Sequence, residues 1–162
     1  MRIILIGFMG AGKTTVGKLL AEKLKLEYID MDKLAMQISR YNSIDEIFDK
    51  AGEIAFRELE IAAAKKVRNT KNIVIATGGG VIMNKIIIEY LKEDSIIVFL
   101  KTSFEETKKR VASNPPYLFR NIKNAQNLYT LRLPLYHYYA NKTVITDNKT
   151  PEEVVEEIYK NI

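Results

Sequence analysis

Apolar residues fill positions 3 to 6 without interruption (Ile-Ile-Leu-Ile), and the run stops at glycine. A β-branched run this short, closed by a turn signal, reads as a buried strand from Arg2 to Ile6. The period then changes. From Lys13 to Lys23, with Leu24 just beyond, Val16, Leu19, Leu20 and Leu24 recur at helical spacing, which predicts an amphipathic helix directly after a glycine-rich loop. Strand-like runs return at Glu27 to Asp30, Asn72 to Ala76, Ser95 to Leu100 and Thr143 to Thr146, each separated from the next by a helical segment. This alternation predicts the α/β class, a parallel sheet wrapped by helices.

Helix starts are legible. Ser43 with Glu46, Ser103 with Glu106 and Thr150 with Glu153 all have capping-box spacing, and Pro151 sits where a first helical residue belongs. Gly52 breaks one helix before Glu53 to Val67 forms the next. Ala112 to Asn121 lacks periodicity and contains Pro115 and Pro116, so it reads as a mobile loop. Pro134 is expected to kink or restart a late aromatic-rich helix, in which His137, the only histidine, reads as a packing residue. With no repeats or linkers, residues 1–162 read as a single domain.

Composition narrows the chemistry. No apolar stretch approaches the length of a membrane span or a secretory signal core, so a soluble, unprocessed chain without a membrane partner is expected. The absence of cysteine excludes disulfides and thiolate chemistry and suits a cytoplasmic location. Any metal must therefore take oxygen ligands. The net charge of +5 attracts phosphates and carboxylates, but the basic residues lie in short groups such as Lys108-Lys109-Arg110 rather than in a stripe, so no nucleic-acid partner is expected.

Gly7-Phe8-Met9-Gly10-Ala11-Gly12-Lys13-Thr14 matches G-x-x-x-x-G-K-[ST] between a predicted strand and a predicted helix, the context of a phosphate-binding P-loop. Backbone N–H groups from Gly10, Ala11, Gly12, Lys13, Thr14 and Thr15 form the candidate nucleotide cradle. Lys13 is placed to neutralise the β- and γ-phosphates, and the Thr14 hydroxyl to hold Mg²⁺. Asp30 and Asp32 follow the second strand, and alternation along an extended segment would send both to one side. One then serves Mg²⁺ and the other the acceptor hydroxyl, unless one of them merely caps the next helix. Glu53, Arg57 and Glu60 fall on one helical face, fixing an arginine for capture of a substrate carboxylate. Thr77-Gly78-Gly79-Gly80 forms a second glycine loop suited to close ligand approach.

Taken together, Gly7 to Gly17, Asp30-x-Asp32, Ser43-Ile-Asp-Glu-Ile-Phe48 with Gly52-Glu53, Phe56-Arg57-x-x-Glu60 and Thr77-Gly-Gly-Gly80 resemble the shikimate kinase family in order and spacing. The resemblance implies a five-stranded parallel sheet of the nucleoside monophosphate kinase-like P-loop type with a mobile lid at about 112–121. It also implies transfer from ATP, with Mg²⁺, to the 3-hydroxyl of shikimate on the route to aromatic amino acids, by a monomer. In that family's pattern Asp30 matches the carboxylate near magnesium and Asp32 the candidate base. Arg57, Gly79 and, with them, Gly78 and Gly80 match the shikimate contacts. Arg132, in Leu131-Arg-Leu-Pro-Leu-Tyr136, matches a second arginine on its carboxylate, and Arg110 is similar to the arginine against adenine. One departure stands out: where the family's lid carries Arg-Pro-Leu-Leu, this chain reads Pro116-Tyr117-Leu118-Phe119. Arg120 is then the nearest candidate to bring charge to the transferring phosphate. Two other readings are a different kinase on the same fold, gluconate-type or nucleoside monophosphate, and a non-catalytic nucleotide-binding module. Arg57 and Arg132 favour a carboxylate acceptor over the first, and Asp32 with the intact P-loop argues against the second.

Overall fold

The computed structural model describes residues 1–162. Its strands β1 (Arg2–Ile6), β2 (Glu27–Asp30), β3 (Ile73–Ala76), β4 (Ile96–Lys101) and β5 (Lys142–Ile145) form one sheet in the order β2-β3-β1-β4-β5. Every pairing is parallel. The helices are α1 (Lys13–Leu24), α2 (Met31–Ile38), α3 (Ile44–Lys50), α4 (Gly52–Val67), α5 (Lys85–Lys92), α6 (Phe104–Val111), α7 (Ile122–Tyr139) and α8 (Pro151–Lys160). Short 3₁₀ turns lie at Val81–Met83 and Tyr117–Arg120.

Alternation along the strands divides the core into two layers. Ile4, Ile6, Ile73, Ile75, Ile97 and Phe99 face one side, where they meet residues of α2, α4, α5 and α7. Ile3, Leu5, Val74, Val98 and Leu100 face the other, against α1 and α8. All five residues of β1 are buried, as a central strand covered on both faces requires. Because the strands are parallel, their carboxyl ends deliver the P-loop, Asp30 and the Thr77 loop to one edge of the sheet. At the opposite edge Arg2 is buried, and its guanidinium donates to the carbonyls of Val67, Tyr90 and Glu93, where α4 and α5 end.

Local signals resolve unevenly. Thr150 and Glu153 form the full reciprocal capping box, with Pro151 as first helical residue. At the other two sites only half of it forms: Ser43 and Ser103 cap their helices, but Glu46 turns to Asn42 and Lys50, and Glu106 to Arg110. Gly52 takes the left-handed conformation (φ 80°) between α3 and α4. Pro134 does not interrupt α7, which runs through it to Tyr139. The helix does not restart there, although a mid-helix proline both forfeits the hydrogen bond its nitrogen would have made and crowds the carbonyl four residues back. The edge of His137 meets the ring of Phe99, a packing role.

Phe8, an unspecified position in the P-loop motif, is 1% exposed. It contacts Phe104, Phe119 and Tyr129 at ring separations of 6.5, 6.2 and 5.3 Å. Within the stretch expected to be a mobile lid, Phe119 is buried and Tyr117–Arg120 forms a defined 3₁₀ turn. Truncating a fully buried phenylalanine costs about 3–5 kcal/mol. Phe8→Ala should lower unfolding stability by that amount in a denaturant titration, and a loss below about 1 kcal/mol would mean that the cluster is not part of the core.

Candidate active site

The P-loop is built as a turn that leaves donors free. Gly12 caps α1 with φ 88° and no side chain, so the first N–H groups of the helix point into the cleft with no capping acceptor. Lys13 is buried and folds back, donating to the carbonyls of Gly7 (2.8 Å) and Phe8 (2.9 Å). Burial pulls its ammonium down to about 8, against the opposing pull of Asp32 and Asp30. Lys13 therefore waits in the loop as a costly buried cation that an incoming phosphate would relieve. Gly10, Gly12, Lys13, Thr14, Thr15, Asp30 and Asp32 line one cleft along the loop. Ala11 is buried beneath it.

Asp30 does two jobs. Its Oδ1 caps α2 by accepting from the N–H groups of Asp32 and Lys33, and its Oδ2 accepts from the Thr14 hydroxyl (3.0 Å). Asp32 does not lie on an extended segment, because α2 already begins at Met31. It shares the site with Asp30 through the first turn of that helix, not through strand alternation. Asp32 is largely buried, its Oδ1 has no partner, and burial raises its pKa, opposed first by Lys13.

Next to the cleft lies a cavity lined by Asp32, Arg57, Glu60, Arg132 and the three glycines. On α4, Arg57 donates to Glu53 (2.9 Å) and to Glu60 (2.5 Å). The glycines are there for close approach. A Cβ on Gly78 would lie 2.6 Å from Asp32 Oδ1 and 2.7 Å from Glu60 Oε1, and one on Gly80 would lie 2.6 Å from Arg57 Nη2. The sequence reading of this loop as a set of ligand-facing donors thus misses its first task, which is to make room for buried charged side chains. Arg132, in α7, is 2% exposed, pairs with no carboxylate, and leaves its Nε without a partner. Burial holds its pKa below the ordinary value. One helical turn further on, on the same face as Arg132, the Tyr136 hydroxyl donates to the Gly79 carbonyl (2.5 Å), a contact across 57 residues that no local spacing could show.

Arg110 lies beside the other end of the P-loop, in a cleft with Gly12, Thr15, Thr146, Lys149 and Pro151. It donates to Thr146 and pairs with Glu106. Arg120 is not where the sequence reading puts it. It pairs with Asp45 and Asp49 of α3 at 3.3 and 3.4 Å, its side chain is half exposed, and it lines none of the clefts along the P-loop. The 3₁₀ turn directs it outward to the acidic face of α3, so in this conformation it does not reach the nucleotide cleft.

Glu60 is 1% exposed, with one oxygen unpaired, and burial pushes it up to about 7 despite Arg57. Between pH 4.5 and 7 the folded protein keeps a proton that the unfolded chain has released. Glu60 then contributes stability that is lost as pH rises, about 3 kcal/mol over the whole window. Lys13 has the opposite slope: below pH 8 its burial cost is fully present, and it fades between 8 and 10.5. The ligand-free protein should therefore lose stability from pH 5 to 7.5 relative to Glu60→Gln, measured by denaturant titration at each pH. Parallel pH curves for the two proteins would show that Glu60 titrates normally.

Comparison with known proteins agrees with this geometry. The family model described as shikimate kinase matches residues 9–162. A shikimate kinase of Caldanaerobacter subterraneus subsp. tengcongensis is 40% identical over 162 residues, covering 98% of this chain and 94% of that protein. A shikimate kinase from Acinetobacter baumannii, solved in complex with shikimate, superposes with a TM-score of 0.91 at 35% identity, covering 99% of this chain and 91% of that one. The Aquifex aeolicus enzyme gives a TM-score of 0.82 at 37% identity, covering 99% and 95%. With its five-stranded parallel sheet, its P-loop and a neighbouring cavity lined by half-buried Arg57 and buried Arg132, the chain belongs to the shikimate kinase family of ATP-dependent phosphotransferases.

Proposed function

We propose that this chain transfers the γ-phosphate of ATP to the 3-hydroxyl of shikimate, with the acceptor seated in the cavity between Asp32, Arg57 and Arg132. The observation that carries this reading is Arg132: a buried guanidinium with no carboxylate of its own, facing the cavity that Arg57 also lines. A buried unpaired cation is costly, and a carboxylate ligand is the partner that would relieve it. Arg57 enters prealigned by Glu53 and Glu60, so little order is lost on binding.

The chemistry follows from the positions. The acceptor oxygen forms a bond to the γ-phosphorus as the bridging bond to ADP breaks, and the hydroxyl proton passes to Asp32. Burial makes Asp32 a stronger base than an exposed aspartate, and its unpaired Oδ1 is free to accept. Lys13 leaves the loop carbonyls for the phosphates, where its charge opposes that developing on the transferred group. Thr14 with Asp30 offers a hydroxyl and a carboxylate oxygen side by side, a donor set suited to Mg²⁺ held with waters and phosphate. When bound, that ion supplies charge neutralisation on the phosphate oxygens. Arg110, with the Thr146–Pro151 wall, suits the adenine end. The same reading makes the protein a monomeric cytoplasmic enzyme acting on small molecules, with no nucleic-acid or membrane partner. No helix is long and apolar enough to cross a membrane.

A coupled ADP-release assay with shikimate tests the assignment. Arg132→Ala should cost about 2–5 kcal/mol of acceptor binding, as expected for removing one partner of a buried charge pair. An analogue without the carboxylate should bind wild type and variant about equally weakly. A variant that still discriminates fully for the carboxylate removes Arg132 from the clamp. Asp32→Asn should lower turnover by about two orders of magnitude or more, with ATP affinity little changed. Collapse of ATP affinity with turnover preserved would instead put Asp32 in the metal site.

A further inference from the structure

The segment that departs from the family pattern lines the cavity of Arg57 and Arg132, not the clefts along the P-loop. In a 3₁₀ turn residues three apart eclipse, so Tyr117 and Arg120 align, and the guanidinium carbon lies 4.4 Å from the ring centroid. Helix α3 presents the matching stripe Asp45, Phe48 and Asp49. Tyr117 stacks on Phe48 (5.0 Å, 23°), and Arg120 bridges Asp45 and Asp49. Phe48 in turn meets Phe56, the residue before Arg57. Buried Phe119 fixes the turn from below. Pro116, Tyr117 and Leu118 line the cavity that holds Arg57 and Arg132, whereas no residue from 116 to 120 lines the clefts along the P-loop.

We propose that Tyr117 is a specificity-determining residue, the roof of the acceptor cavity. Its height is set by the Phe48 stack and by the Arg120 latch to Asp45 and Asp49. This rests on the acceptor assignment made above. A flat ring held by a stack and a bridging guanidinium has few ways to yield, so a ring acid with one extra substituent meets a fixed wall. An exposed ion pair alone contributes little, but here one arginine spans two carboxylates and also covers the ring it steadies. The latch spends the lid's only arginine on α3, so its loss should be read in acceptor selection and not in handling of ATP.

The test is steady-state kinetics of the full chain with ATP and either shikimate or a ring-methylated shikimate. One methylene-sized difference in a fitted pocket is worth roughly 10- to 200-fold in kcat/KM. Tyr117→Ala should shrink the wild-type preference for shikimate by at least about 10-fold and raise the KM for shikimate, with the KM for ATP held within about twofold. Tyr117→Phe, which keeps the ring, should recover most of the preference. Arg120→Glu should weaken it in the same direction, and adding Asp49→Lys should restore it by re-forming the pair with reversed charges. An unchanged preference in Tyr117→Ala overturns the proposal. So does a set of latch variants that lowers kcat or raises the KM for ATP while the KM for shikimate stays put. A wild type that turns over another ring acid but not shikimate, with a Tyr117 effect on that acid's KM, sinks the shikimate reading and spares the roof. A wild type active on shikimate without a Tyr117 effect sinks the roof alone.

Discussion

The ion pair between Arg57 and Glu60 is the constraint around which the acceptor side is arranged. Glu60 is almost completely buried, and above its raised pKa the pair takes two charges out of water, which costs several kcal/mol per ion unless the geometry repays it. One carboxylate oxygen accepts from Arg57, and the other is left facing Gly78 beside Asp32. A side chain at Gly78 or Gly80 would occupy the space these groups need. The pair thus dictates the glycine loop, and through the Tyr136–Gly79 hydrogen bond it is tied to α7 and Arg132.

Several groups in the site are held in states that folding alone would not choose. Lys13 is a desolvated cation leaning on carbonyls, Arg132 a cation without a counter-ion, and Asp32 a carboxylate with an idle oxygen. Each is a local loss of stability that a substrate bearing phosphate, carboxylate or hydroxyl would reverse. Natural proteins commonly keep such strained sites on rigid frames, and here the frame is a parallel sheet whose central strand is fully buried. Because the polar groups are fixed before the reactants arrive, little reorganisation remains for the moment of reaction.

Much of this was legible in the sequence where the signal is local. The five strands lie within a residue of the expected runs, because apolar period and glycine stops are properties of short windows. The P-loop and Arg57 with its two glutamates depend on spacing along single elements, whereas the placement of Arg110 rests on the family resemblance alone. What escaped depends on contacts distant in the chain. Arg120 faces Asp45 and Asp49, more than seventy residues earlier, so no window around the lid could show where its charge would go. Asp32 reached the expected place by an unexpected route, since a helix starting one residue earlier replaced alternation with helical geometry. Of the two outcomes expected at Pro134, a kink or a restart, the continuous α7 rules out the restart. Phe8 sits where the motif allows any residue, and only the folded lid reveals what it touches.

That position has a bearing on how such enzymes can be recombined. Phe8 belongs to the nucleotide loop by sequence but shares one aromatic cluster with Phe104 and Phe119, so loop and lid are not interchangeable modules. A lid grafted from a relative with a smaller residue at 119 would leave a void beneath the P-loop, and a loop grafted without Phe8 would leave Phe119 with Phe104 alone to rest on. Chimaeras and ancestral reconstructions of this chain must therefore exchange positions 8, 104 and 119 as a single inherited unit.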